Sequence, residues 1–228
     1  MKSERTAVVI SNPAVGAELG HLEPWLRDNG FTVRRLIRDD VLAADAADDA
    51  DLVIVLGSEW TLARPMDAPD DPPEAAAAIA AEIALVRRRV EQDKPLLGIC
   101  FGGQVLSRAL GGEVTRQDAA HIASETPQTQ VEELRAPWVL LHNDAFTVPP
   151  GAELLAEADH APVAFRQGRA WGVQFHPEVD AAILAKMFAD VGTPAQVSTP
   201  QVEALRAREL QQRDDSLRLF DRFWAEVS

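Results

Sequence analysis

The residues best suited to covalent chemistry are the single cysteine, Cys100, and the histidine–acid pair His176 and Glu178. Cys100 lies in Gly98-Ile99-Cys100-Phe101-Gly102-Gly103-Gln104, with one glycine two residues before it and another two after. Leu96 to Cys100 reads as a short apolar strand and Gln104 to Leu110 as a helix stopped by Gly111-Gly112, so the cysteine falls at a strand-to-helix turn. A turn that tight admits only minimal side chains at its flanks and pushes its central residue out above the sheet, as in a nucleophile elbow. A free thiol has a pKa of about 8.5 and is mostly protonated at neutral pH; a helix N-terminus beside it favours the thiolate. A lone cysteine is more often a small buried hydrophobe. The flanking glycines argue for the nucleophile.

A nucleophilic thiol needs a base, and His176 in Trp171-Gly172-Val173-Gln174-Phe175-His176-Pro177-Glu178 is the best of the five histidines. The run Ala170 to Phe175 reads as a strand that delivers His176 at its end, where α/β proteins build their sites. Glu178 is two residues further on, so in extended chain both side chains project to one side and the carboxylate can hold one ring nitrogen while the other faces the thiol. Cys100, His176 and Glu178 then form a triad in chain order. His-x-Glu is also a metal-ligand spacing, but no third and fourth ligand stands at suitable spacing, so no metal is expected. His21, His121, His142 and His160 read as solvated or hydrogen-bonded.

The elements that must position these residues alternate. Thr6–Ser11, Phe31–Leu36 and Asp51–Leu56 read as strands, with a short helix containing Leu22, Trp25 and Leu26 between the first two. Glu59 to Pro73 is rich in proline and aspartate and reads as a surface loop. In Glu74–Val90 the apolar residues Ile79, Ile83, Val86 and Val90 share one helical face. The order implies an α/β fold with a largely parallel sheet. The second half holds short strand-like runs at Val131–Leu134, Trp138–Leu141, Ala152–Glu157, Val163–Arg166 and Ala170–Phe175, expected as antiparallel additions, then a helix from about Val179 to Val191. Gly192–Ser198 reads as a linker, with Thr199-Pro200 starting a terminal helix or helix pair that carries Val202, Leu205, Leu217, Phe220 and Trp224. This divides the chain into a domain over 1–191 and an extension over 192–228, expected to pack back on that domain.

Composition bounds the function. The chain has 228 residues, 46% apolar and 25% charged, enough for a substantial core without disulfide or metal staples. Lys and Arg number 22 against 36 Asp and Glu, and a net charge of −14 argues against nucleic acid or an anionic membrane as partner. The start shows no signal-peptide pattern and no apolar stretch is of membrane-spanning length, so a cytoplasmic location is expected.

The two segments Gly98–Gln104 and Gly172–Glu178 resemble the nucleophile and His-Pro-Glu motifs of the class I (triad) glutamine amidotransferases, in particular stand-alone proteins similar to the glutaminase part of GMP synthase. The likeness runs over roughly residues 6 to 190 in element order. It implies a flavodoxin- or Rossmann-like three-layer fold whose mixed, mainly parallel sheet is flanked by helices. It implies that Cys100 attacks the side-chain amide of glutamine to give a γ-glutamyl thioester, that His176 moves the protons, and that Glu178 orients it. By the same resemblance the backbone N–H groups of Gly57 and Phe101 form the oxyanion hole, Gln104 contacts glutamine, and His142-Asn143-Asp144-Ala145-Phe146 grips its α-amino and α-carboxylate groups through Asn143, Asp144 and Phe146. The family often has Gly-Gly-Pro in the oxyanion loop where this chain has Gly57-Ser58-Glu59-Trp60. Glu59 and Asp144 either reach the pocket to bind the substrate ammonium or are solvated.

The resemblance calls for no cofactor. Without a Gly-x-x-x-x-Gly-Lys-[Ser/Thr] phosphate loop or anything like an ATP-pyrophosphatase domain, an ammonia-accepting synthase would be a separate protein; the oligomeric state, homo-oligomer included, is open. Two other readings stand beside the glutaminase: a hydrolase of γ-glutamyl amides or peptides with the same chemistry, and a catalytically silent binding or regulatory module, against which the complete triad argues.

Overall fold

The computed structural model describes residues 5–13, 17–63 and 73–228. Five strands form the parallel part of the main sheet: β1 (Arg5–Ser11), β2 (Phe31–Ile37), β3 (Leu52–Val55), β4 (Leu96–Ile99) and β10 (Ala170–Val173). Among the described residues the sheet has eight strands in the order β2-β1-β3-β4-β10-β9-β8-β6, where β9 (Ala161–Gln167), β8 (Glu153–Ala158) and β6 (Gln128–Thr129) are antiparallel additions. Each residue of β3, β4 and β10 is buried, as expected for strands covered on both faces. A separate antiparallel pair joins β5 (Val114–Glu125) to β7 (Trp138–Phe146).

Alternation along the strands sends side chains to two cores. Ala7, Val9, Ile54, Leu97, Ile99 and Trp171 meet α1 (Leu22–Asp28) and α6 (Glu209–Val227) on one face. Val8, Ile10, Val53, Val55 and Leu96 meet α2 (Pro73–Glu91) and α3 (Phe101–Ala109) on the other. A third cluster, built on Leu184 and Phe188 of α4 (Ala181–Asp190) and Val202 and Leu205 of α5 (Ala195–Ala207), packs beside Val139 of β7. The result is a three-layer α/β/α arrangement with the ends of β3, β4 and β10 side by side.

Three expectations need correction. Val131–Leu134 is not a strand: Glu132–Leu134 is a single 3-10 turn, anchored by fully buried Leu134, whose carbonyl accepts the Trp138 indole N–H at 2.9 Å. Gly192–Ser198 is not wholly linker, because α5 starts at Ala195 and the Pro194 carbonyl accepts the N–H groups of Val197 and Ser198. Pro200 therefore lies inside the helix rather than at its first position. It is tolerated because the turn before it is exposed, so water can serve the carbonyl that proline leaves without a donor. β5 was not legible as a strand because it is mostly polar and lies at the surface, without an alternating apolar face. Most of the expected Glu59–Pro73 loop, residues 64–72, lies outside the described residues.

Candidate active site

Cys100 follows β4 and immediately precedes α3, with φ 52° and ψ −109°. Positive φ is costly for a residue with a Cβ and persists only when its surroundings impose it. The glycines show how they do so. A Cβ on Gly98 would stand 2.4 Å from the Gly102 carbonyl oxygen, and one on Gly102 would stand 2.1 Å from that of Val55. The turn is thus pressed between the first turn of α3 and the end of β3, and the Cys100 N–H is tied to the Val173 carbonyl of β10 at 2.8 Å. Phe101 is the first residue of α3, so its N–H has no partner within the helix.

His176 stands three residues beyond β10, its N–H bonded to the Val139 carbonyl of β7 at 2.8 Å. Its ring Nδ1 is 2.7 Å from Glu178 Oε1, with both side chains buried. A carboxylate only accepts, so Nδ1 carries a proton and Nε2 is the nitrogen left to exchange one with the thiol. Among the described residues Nε2 has no partner at hydrogen-bond geometry, and the ring neighbours Cys100. Burial alone would lower the His176 pKa, but the Glu178 carboxylate and the Cys100 sulfur outweigh it and raise the value well above the ordinary histidine range.

Gly57, just beyond β3, closes the third side. A Cβ built on it would be 3.2 Å from His176 Cε1 and 3.8 Å from Cys100 Cβ, so this loop packs directly against the thiol-bearing residue and the imidazole. The loop is set by Arg38, which no motif announced. Its fully buried guanidinium pairs with Glu82 at 2.6 Å and donates to the carbonyls of Leu56 at 3.0 Å and Gly57 at 3.1 Å. Its carbon also lies 4.7 Å from the centre of the Phe101 ring. In a trans peptide N–H and C=O point opposite ways, so fixing the Leu56 carbonyl aims the Gly57 N–H away from Arg38.

These groups line a cavity of about 500 Å³ bounded by Gly57–Trp60, Cys100, Gln104, Arg116, Leu141–Asp144, His176 and Glu178, with Met187 and Asp190 of α4 at its edge. Gln104 is buried and its amide donates to the Asp144 carbonyl at 3.0 Å and to Gln174 Oε1 at 3.3 Å. The Gln174 amide in turn lies 3.6 Å from the Cys100 sulfur. Asn143 and Glu59 are exposed and line the cavity. Asp144 is not solvated: it is buried, accepts the Thr61 hydroxyl at 2.5 Å and pairs with Arg116 at 2.8 Å.

Phe146 is not brought to the cavity. It lies two residues, about 7 Å, along β7 from Asp144 and packs edge-on against Phe165 at 5.0 Å in the core beside α3. Arg116 was invisible in the sequence because only the pairing of β5 with β7 sets it opposite Asp144. The same pairing sets His121 opposite His142, and His160 joins them from the turn between β8 and β9. Burial, then the neighbouring His160 and His121, pushes the His142 pKa down to about 3. A larger recess of about 680 Å³ is lined by Ser11, Arg35 and Asp180 among others, with no cysteine or histidine among its described lining residues.

Comparison with known proteins gives a consistent family. GMP synthase [glutamine-hydrolyzing] of Nostoc sp. is 41% identical over 97 residues, which is 37% of this chain and 18% of that protein. The chain thus matches less than a fifth of the length of that relative. A glutamine amidotransferase from Thermotoga maritima superposes with a TM-score of 0.80 at 19% identity, covering 96% of this chain and 98% of that one. A glutamine amido transferase from Methylobacillus flagellatus gives 0.73 at 23% identity over 99% and 96%. The family model for glutamine amidotransferase class-I matches residues 68–190, more than half of the sequence and the stretch that carries Cys100, His176 and Glu178. The chain therefore belongs to the class-I glutamine amidotransferases.

Proposed function

We propose that the protein hydrolyses the side-chain amide of glutamine through a Cys100–His176–Glu178 triad and passes the ammonia to a separate acceptor synthase. The observation that carries this reading is the strained Cys100 at the head of α3 facing an imidazole whose far nitrogen is held by Glu178 at 2.7 Å. His176 Nε2 takes the thiol proton as sulfur attacks the amide carbon, then gives it to the departing ammonia, leaving a γ-glutamyl thioester. Water, deprotonated by the same nitrogen, cleaves the thioester. Negative charge on the tetrahedral oxygen is met by the N–H groups of Phe101 and Gly57, aimed before the reaction begins.

Arg116 and Asp144 offer opposite charges for the substrate's α-carboxylate and α-ammonium, with Glu59 and Asn143 at the exposed edge and Gln104 bracing the wall. A second reading keeps the triad but takes γ-glutamyl amides with larger leaving groups, since a cavity of about 500 Å³ is of a size that also holds ligands larger than a free amino acid.

The test is ammonia release from glutamine. The wild type should release it, and a glutamine-analogue electrophile should leave a single adduct on Cys100. Cys100→Ala should abolish both; undiminished ammonia release in that variant would end the proposal. Higher kcat/KM on bulky γ-glutamyl amides than on glutamine would select the second reading.

A further inference from the structure

We propose that His121, Glu125, His142 and His160 form a site for one divalent transition-metal ion, best suited to zinc, beside the pocket on the β5–β7 pair. The four side chains come from β5, β7 and the β8–β9 turn. One ligand atom each from His121, Glu125 and His160 lie within 4.8 Å of one another. His121 Nε2 is 2.9 Å from Glu125 Oε1, and the Nε2 atoms of His142 and His160 are 3.4 Å apart. A tetrahedral zinc with Zn–N of about 2.0–2.1 Å sets its ligand atoms roughly 3.3–3.4 Å from each other, so the His142–His160 edge already has the required length.

The donor chemistry agrees. His142 Nδ1 is 3.0 Å from the Asp144 carbonyl oxygen, which can only accept; the proton is therefore on Nδ1 and the Nε2 lone pair points to His160. A ligating histidine held through its other nitrogen by a carbonyl is the usual outer arrangement of a zinc site. His121 and His160 stack at 3.8 Å between ring centres and are part-exposed, so turning them out of the stack to converge on an ion disturbs no core. Three imidazoles and a carboxylate are a nitrogen and oxygen set suited to zinc. The ion would brace β7 where it forms the cavity wall, because the Asp144 carbonyl that holds His142 also accepts the Gln104 amide.

The experiment titrates zinc into the full chain, untagged and stripped of metal, against a chromophoric chelator at neutral pH, and repeats it with cobalt. One equivalent should bind. Cobalt should give a tetrahedral absorption spectrum lacking a sulfur-to-metal charge-transfer band, and Cys100→Ser should bind as the wild type does. His121→Gln and His160→Gln should each weaken binding at least about tenfold, with far-UV circular dichroism showing that the fold is kept. No stoichiometric binding would overturn the proposal. So would binding that survives both histidine substitutions but is lost in Cys100→Ser, which would place the ion on the thiolate. Neither result bears on ammonia release, so this site and the proposed glutaminase stand or fall separately.

Discussion

At the level of single residues, the charge state of His176 is decided by its neighbours rather than by its burial. Burial alone would lower its pKa, and the Glu178 carboxylate and the neighbouring Cys100 sulfur outweigh that and raise it. Because the folded pKa is raised, His176 adds stability that is fully present below about pH 6.5, the unfolded value, and is lost as pH rises through the folded value. Glu178→Gln removes the carboxylate's charge and lets the ring's pKa fall. The stability deficit of Glu178→Gln against the wild type should therefore be larger at pH 6 than at pH 9, read from urea midpoints; an equal deficit at both would count against the coupling. Its kcat should fall less than that of His176→Ala, for which loss of the general acid and base predicts about 10²–10⁴-fold.

Arg38 can be separated from the fold by the same logic. Arg38→Met leaves Glu82 buried and unpaired, a cost of about 3–5 kcal/mol, whereas Arg38→Met with Glu82→Leu removes both charges and should recover most of that loss. The double variant should still lose about 10²–10³-fold in kcat with little change in KM, since nothing then aims the Gly57 N–H. Recovery of kcat along with stability would show that Arg38 only holds the fold. Cys100, His176 and Glu178 were legible because local spacing sets their geometry. Arg38, Arg116 and the His121–His142–His160 cluster were not, because strand pairing and helix docking bring them together from distant parts of the chain.

At the level of elements, the buried strands and α2 were legible because each carries its periodicity within a few residues. β5, the 3-10 turn at Glu132–Leu134 and the start of α5 were not, since their conformation follows from packing or from a proline-borne carbonyl rather than from pattern. The elbow is the element on which the chemistry rests, and the glycines at the two ends of α3 differ in what they tolerate. On Gly102 an added Cβ meets the Val55 carbonyl at 2.1 Å, and that oxygen belongs to the end of a central strand and cannot turn aside. Gly102→Ala should therefore cost about 3 kcal/mol or more in stability. On Gly111, where nothing lies within 4 Å of the added carbon, alanine meets only the strain of φ 87° and should cost less. Comparing urea midpoints of the two variants checks this; equal losses would mean that the α3–β3 approach is not as tight as the geometry states.

At the level of the whole molecule, the terminal helix is continuous with the core beneath the site. Leu219, Phe220, Phe223 and Val227 of α6 are almost fully buried in the cluster that includes Val9, Ile54, Ile99 and Trp171. Phe220 lies 5.8 Å from Trp25, Phe223 lies 6.0 Å from Trp171, and half-buried Trp224 meets Phe31 edge-on at 5.1 Å. Burying four such side chains is worth roughly 6–12 kcal/mol at about 1.5–3 kcal/mol each, which is comparable to the roughly 5–15 kcal/mol that separates a folded domain from its unfolded chain. Truncation after Arg208 should therefore leave a chain that does not fold, rather than an active domain lacking an appendage. In the intact protein Trp25, Trp171 and Trp224 report on this interface while far-UV circular dichroism reports on all helices, so the two urea transitions should coincide. An early fluorescence transition, or a truncated chain that still hydrolyses glutamine, would show instead that α6 is a separable layer and that the sheet and α1 suffice to hold the site.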